Sequence, residues 1–86
     1  MTFELIFDKQ ARKDFSKLPE RIAKSIFRKC RETKSNPMRH WKKNIDRGDY
    51  KLRVGDYRAI ADIDFELKRI AVTKVGLRHN IYQKSK

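Results

Sequence analysis

The spacing of apolar positions changes period twice along the chain. In Thr2–Phe7, Phe3, Leu5 and Phe7 alternate with Thr2, Glu4 and Ile6, the two-residue period of a strand with one buried face. Asp8 follows, and its carboxylate can accept one of the orphan N–H groups at a helix start. The period then lengthens. Ala11, Phe15 and Leu18 recur at helical spacing and predict a helix over Lys9–Leu18, with Lys9, Arg12, Lys13 and Lys17 on its outer face. Pro19 suits the first turn of a second helix, where its missing N–H costs nothing. That helix is predicted over Pro19–Lys34. Ile22, Ile26, Cys30 and Thr33 form one stripe with Ala23 and Phe27 beside it, while Arg21, Lys24, Arg28, Arg31 and Lys34 face out. Ser35-Asn36-Pro37 stops it.

Met38–Asp49 shows neither period and reads as a loop docked on the domain through Trp41. From Tyr50 the two-residue period returns. Tyr50, Leu52 and Val54 alternate with Lys51 and Arg53, and Gly55-Asp56 forms a two-residue hairpin turn with glycine first. Tyr57–Asp64 returns as a strand with Arg58, Ile60 and Asp62 on one face and Tyr57, Ala59, Ala61 and Ile63 on the other. After a turn over Asp64–Lys68, the β-branched run Arg69–Val75 makes a third strand that Gly76 ends. The order is β-α-α-β-β-β. Three strands joined by tight turns form an antiparallel meander. The fold class is therefore α+β, with an N-terminal helical hairpin packed on one face of a small antiparallel sheet that the first strand joins. Ala59 and Ala61 would face the helices, leaving Lys51, Arg53 and Arg58 on the open face.

Composition adds a constraint that periodicity does not. The 86 residues make one domain over 1–86, and a chain this short buries only ~60–65% of its unfolded surface. Lys and Arg total 23 against 11 Asp and Glu, a formal charge of +12. No acidic residue follows Glu66, whereas Lys68, Arg69, Lys74, Arg78, Lys84 and Lys86 do. Such charge on so small a domain asks for a polyanion. Nucleic acid is the first candidate, with an anionic membrane surface and an acidic protein as rivals. No apolar run approaches the roughly 18 residues of a membrane span, and the acidic start Met1-Thr2-Phe3-Glu4 does not read as a signal peptide. A single cysteine, Cys30, cannot staple a secreted domain. The expected compartment is the cytoplasm.

His40, His79 and Cys30 lack ligand spacing, so no metal site and no cofactor are expected. The glycines Gly48, Gly55 and Gly76 are dispersed, which excludes a Gly-rich phosphate loop. What remains is Lys, Arg and Tyr concentrated in the β half. Lys51, Arg53 and Arg58 lie on paired strands and can converge, and Arg78 and Tyr82 follow the last strand. Lys42, Lys43, Arg47 and Lys74 extend the positive surface for nucleic-acid binding. Such a cluster binds phosphate, and it can also cleave RNA. Guanidinium groups stabilise a dianionic phosphate in the transition state, a lysine can act as base, and a tyrosine can stack on a base or bond the 2′-OH. His79 is a possible acid or base, since histidine titrates near neutrality.

Tyr50-Lys51-Leu52-Arg53-Val54-Gly55-Asp56-Tyr57-Arg58 resembles the central hairpin of the RelE/ParE toxin superfamily. So does the ending Val75-Gly76-Leu77-Arg78-His79-Asn80-Ile81-Tyr82, and Ala11, Lys13 and Leu18-Pro19 fit the opening helix. The resemblance covers nearly the whole chain. In the RelE branch it implies a type II toxin that enters the ribosomal A site and cuts mRNA there without metal, by 2′-OH attack. Lys51, Arg53, Arg58, Arg78 and Tyr82 match that branch's catalytic pattern. The resemblance makes Arg58 the transition-state stabiliser, Arg78 the group that protonates or neutralises the leaving 5′-oxygen, and Tyr82 the residue that orients the 2′-OH or stacks. Lys51 is the candidate base and Arg53 a second phosphate ligand. It also implies a cognate RelB-like antitoxin, an acidic or amphipathic segment covering the basic surface. Two alternatives stay open: a ParE-type gyrase-inhibiting toxin, and a non-catalytic nucleic-acid or ribosome-binding module.

Overall fold

A computed structural model describes residues 2–77. Its order is β1 (Glu4–Phe7), α1 (Lys9–Ser16), α2 (Glu20–Glu32), a 3₁₀ turn (Thr33–Ser35), α3 (Pro37–His40), β2 (Lys42–Lys43), β3 (Tyr50–Val54), β4 (Tyr57–Asp64) and β5 (Arg69–Leu77). The sheet runs β1-β5-β4-β3-β2.

Local chemistry explains most boundaries. Asp8 caps α1 by accepting the Ala11 N–H at 3.1 Å. The helix ends at Ser16 rather than Leu18, with the Ser16 hydroxyl donating to the Lys13 carbonyl at 2.7 Å, a local bond that competes with helix continuation. Pro19 stands just outside α2, as its N-cap. At the other end α2 tightens into the 3₁₀ turn instead of continuing to Lys34. Gly55 has φ +61° while Asp56 does not enter the positive region. That combination marks a type II′ turn, whose twist matches the strands it joins.

The meander β3-β4-β5 is antiparallel as the turns require, but β1 pairs in parallel with β5, Glu4 opposite Arg69 through Phe7 opposite Val72. The sheet is therefore mixed, because two helices carry the chain from β1 back across the sheet. The stretch predicted as loop contains α3 and β2, which pairs with β3 as an edge strand. Two residues are too few to show a period. Trp41 is 4% exposed, and its Nε1 donates to Thr33 Oγ1 at 2.9 Å, while that hydroxyl donates to the Cys30 carbonyl at 2.7 Å. One buried threonine thus ties the end of α2 to the chain entering β2. The last strand runs through Gly76 to Leu77 instead of stopping at Val75.

The core lies between the helices and one face of the sheet. Ala11, Ile26, Cys30, Trp41, Leu52, Ala59, Ala61, Ile70, Val72 and Val75 are buried in it. Ala59 and Ala61 are fully buried, as alternation predicts. A β-bulge interrupts β5: Ala61 faces Val72 and Ile60 faces Lys74, leaving Thr73 extra. The additional residue reverses the facing pattern. Without it Lys74 would fall on the core face with Val72; with it, Val75 joins the core and Lys74 the open side.

Candidate nucleic-acid interface

Directly opposed residues on neighbouring strands share a face, so the register defines the open side of the sheet. One row reads Lys42, Lys51, Ile60, Lys74 across four strands, and the next reads Arg53, Arg58, Gly76. Strand spacing makes the first row about 14 Å long, with the second about 7 Å along the strands from it. Five cations therefore share one patch. Ile60 sits inside it, 2% exposed yet outside the core cluster, so the patch has an apolar floor between Lys51 and Lys74.

The cations lack counter-charges. Among the described residues the ion pairs are Lys24–Glu20, Arg47–Asp49 and Arg69–Glu4, none within the two rows. The Arg58 Nε is buried without a hydrogen-bond partner among the described residues, and a buried donor left unmade is costly. Gly76 contributes no side chain opposite Arg58. Acids on this face lie further off: Asp62 and Asp64 along β4, opposite Ala71 and Arg69, and Glu4 on β1, paired with Arg69.

Of the residues singled out in the sequence, Lys42, Lys51, Arg53, Arg58 and Lys74 come together. Lys43 opposes Tyr50 and lies on the other face, its Nζ 6.0 Å from that ring. Arg47 stands in the turn before β3 and bonds Asp49 at 3.4 Å. Arg78, His79 and Tyr82 lie outside the described residues. Pairing of β2 with β3, invisible in the sequence, brings Lys42 beside Lys51. Cys30 has no nucleophilic role: burial pushes its thiol up from 9.0 to about 12, and a thiol held protonated does not attack.

A second feature lies on the helical side. A groove of ≈ 1020 Å³ opens between β1, α1 and α2, with Phe7, Phe15 and Phe27 at its base and Arg12, Arg28 and Arg31 at its rim. Phe7 meets Phe15 edge-on at 5.2 Å and Phe27 at 5.7 Å, and Arg31 lies 6.0 Å over Phe27. Phe27, expected beside a buried stripe, is 44% exposed.

A sequence model of the ParE toxin of type II toxin-antitoxin systems matches residues 5–82. The chain thus belongs to the RelE/ParE toxin superfamily, as a toxin of a type II toxin-antitoxin system. Similar solved structures are RelE toxins. The toxin-antitoxin complex RelBE2 of Mycobacterium tuberculosis contains a chain 27% identical, with a TM-score of 0.85, covering 91% of this chain and 100% of that one. A doubly substituted Escherichia coli RelE in the free state is 26% identical at a TM-score of 0.75, covering 90% and 84%. The same toxin bound to an antitoxin RelB peptide is 25% identical at 0.71, covering 100% and 96%. No curated protein matches the chain. Among the described residues no helix is long and apolar enough to cross a membrane.

Proposed function

We propose that this toxin is a ribosome-dependent mRNA endoribonuclease that cuts in the A site, in the cytoplasm. The observation that supports the proposal is the Arg58 guanidinium, its Nε buried and, among the described residues, unpartnered in a patch of cations whose two rows hold no carboxylate. RNA cleavage needs this equipment. A base takes the proton of the 2′-OH, O2′ bonds to phosphorus, the P–O5′ bond breaks, and O5′ leaves with a proton. The products are a 2′,3′-cyclic phosphate and a 5′-hydroxyl. The dianionic phosphorane between them is stabilised by fixed positive charge. Arg58 and Arg53, opposed across the hairpin, supply that charge. Lys51, two residues before Arg53 on the same strand, is the candidate base. Lys42 and Lys74 hold flanking phosphates. By the superfamily resemblance Arg78 serves the leaving oxygen and Tyr82 orients the 2′-OH, with His79 a second candidate acid or base. In this scheme the charge that a metal ion would provide comes from the arginines.

The partner that restrains the toxin is a RelB-like antitoxin. Support comes from the phenylalanine groove, whose arginine rim suits an acidic amphipathic segment, and from the RelB-type complexes of similar structures. The ParE match favours a second reading, inhibition of gyrase by the same fold. The deciding experiment uses ribosomes programmed with a defined mRNA, primer extension to map ends, and Arg58→Ala beside the wild type. Cuts in the A-site codon that vanish in the variant support cleavage. Intact mRNA with tight ribosome binding supports a binding module, and intact mRNA with inhibited supercoiling supports gyrase.

A further inference from the structure

The distal half of β5 carries Lys74 and Gly76 onto the open face, yet it is poorly supported by the sheet. On one side it pairs with β4. On the other, β1 ends at Phe7, opposite Val72, so among the described residues Lys74–Leu77 has no strand neighbour there. The bulge at Thr73 weakens the ladder at the same point, fastened by Thr73 Oγ1 donating to the Ile60 carbonyl at 3.3 Å. Where a β1 carbonyl would have accepted the Val75 N–H, a side chain from α1 does so instead: Asp14 Oδ2 accepts it at 2.9 Å, across 61 residues of sequence. The other carboxylate oxygen, Oδ1, accepts from Gln10 Nε2 at 2.9 Å, one turn earlier, which fixes the carboxylate's rotation. Asp14 forms no ion pair among the described residues, although Lys17 lines the same cleft. Its carboxylate is committed to the backbone.

We propose that Asp14 is a positioning residue, standing in for the missing strand neighbour of β5 and thereby holding Lys74 and Gly76 in register with Ile60 and Arg58. The consequence for activity rests on the cleavage reading, whereas the geometry does not. Val75 lies between Lys74 and Gly76, so a shift of its backbone moves both. Positioning errors of about 1 Å at a phosphoryl centre cost on the order of 10²-fold in rate.

The test compares Asp14→Ala, which removes the acceptor, with Asp14→Asn, which keeps an oxygen in the same place without the charge. In Asp14→Ala the Val75 amide exchanges with solvent about ten-fold or more faster while core amides stay protected. A-site cleavage then falls about 10–100-fold in kcat with KM for the ribosome unchanged, because the surface charge that drives docking is intact. Asp14→Asn restores both. A folded Asp14→Ala with wild-type kcat overturns the proposal, and so does equal loss in the two variants, which would assign the effect to charge. Wild-type protein that leaves mRNA intact refutes the cleavage reading instead. The positioning claim is then decided by exchange of the Val75 amide, which must quicken in Asp14→Ala and slow again in Asp14→Asn, and which overturns the claim if it is the same in all three.

Discussion

The helical hairpin and the β3-β4 hairpin both carry clusters of Lys and Arg, but they hold that charge differently. On α1 and α2 the cations point into solvent around an apolar groove, and Lys24 pairs with Glu20 four residues earlier at 3.3 Å with both ends exposed, an arrangement worth little either way. On the sheet, Arg53 faces Arg58 and Lys42 faces Lys51. Like charges directly opposed on paired strands destabilise a sheet, and the Arg58 Nε adds a buried donor without a partner among the described residues. Solvated charge on a helix needs no explanation beyond solubility. Charge kept on a sheet against stability points to a ligand that relieves it, the trade between stability and activity that functional sites show.

The comparison breaks most visibly at Arg58. Replacement by alanine should lower A-site cleavage about 10²–10³-fold, the loss that follows removal of one transition-state donor, while the melting temperature holds or rises. Primer extension and thermal denaturation on the same preparation check both halves. A fall in stability as large as the fall in activity would make the sheet charges structural and erase the contrast.

On the helical side the sensitive residue is apolar. Phe27→Ala removes the exposed ring between Phe7 and Arg31. It should weaken antitoxin binding by about 2 kcal/mol, the scale of an interface anchor, and leave cleavage by the free toxin unchanged. Titration calorimetry with the cognate antitoxin reads the first effect and ribosome cleavage the second.

Salt dependence sharpens the contrast by charge alone. Each phosphate contact to single-stranded RNA contributes about 0.7 to the slope of log affinity against log salt. Lys42→Ala should lower that slope by about this amount. Arg28→Ala, on the groove rim, removes the same charge and should leave it unaltered. Equal effects would mean that RNA does not distinguish the two surfaces.

How much of this was legible follows from how local each signal is. Asp8 as cap, Gly55 as the positive-φ turn residue and the inward alternation of Ala59 and Ala61 depend on a few neighbouring residues, and all stand in the structure. So does the convergence of Lys51, Arg53 and Arg58, which a two-residue turn forces. Features set by distant partners were not legible. The run Val72-Thr73-Lys74-Val75 reads as plain alternation with Val72 and Lys74 on one face, and only the pairing with β4 reveals the bulge that separates them. Asp14 reads as a surface residue of an exposed helix until β5 arrives beside it. Phe27 follows the helical stripe, but no element comes to cover it.

The smallest effect is also the most direct measure of charge held against stability. Arg53 is exposed and opposes Arg58. Arg53→Thr removes one member of a like-charged pair and substitutes a residue suited to a strand. Unfolding in urea should show a gain of about 0.2–1 kcal/mol, the size of a cross-strand pair. Arg28→Ala, which relieves no opposed charge, should show no gain. The difference should shrink as salt is added, because exposed charges are screened within about 10 Å at 0.1 M ionic strength. A gain that persists in high salt would come from strand propensity rather than relieved repulsion, and the sheet's cations would then be as indifferent to one another as those on the helices.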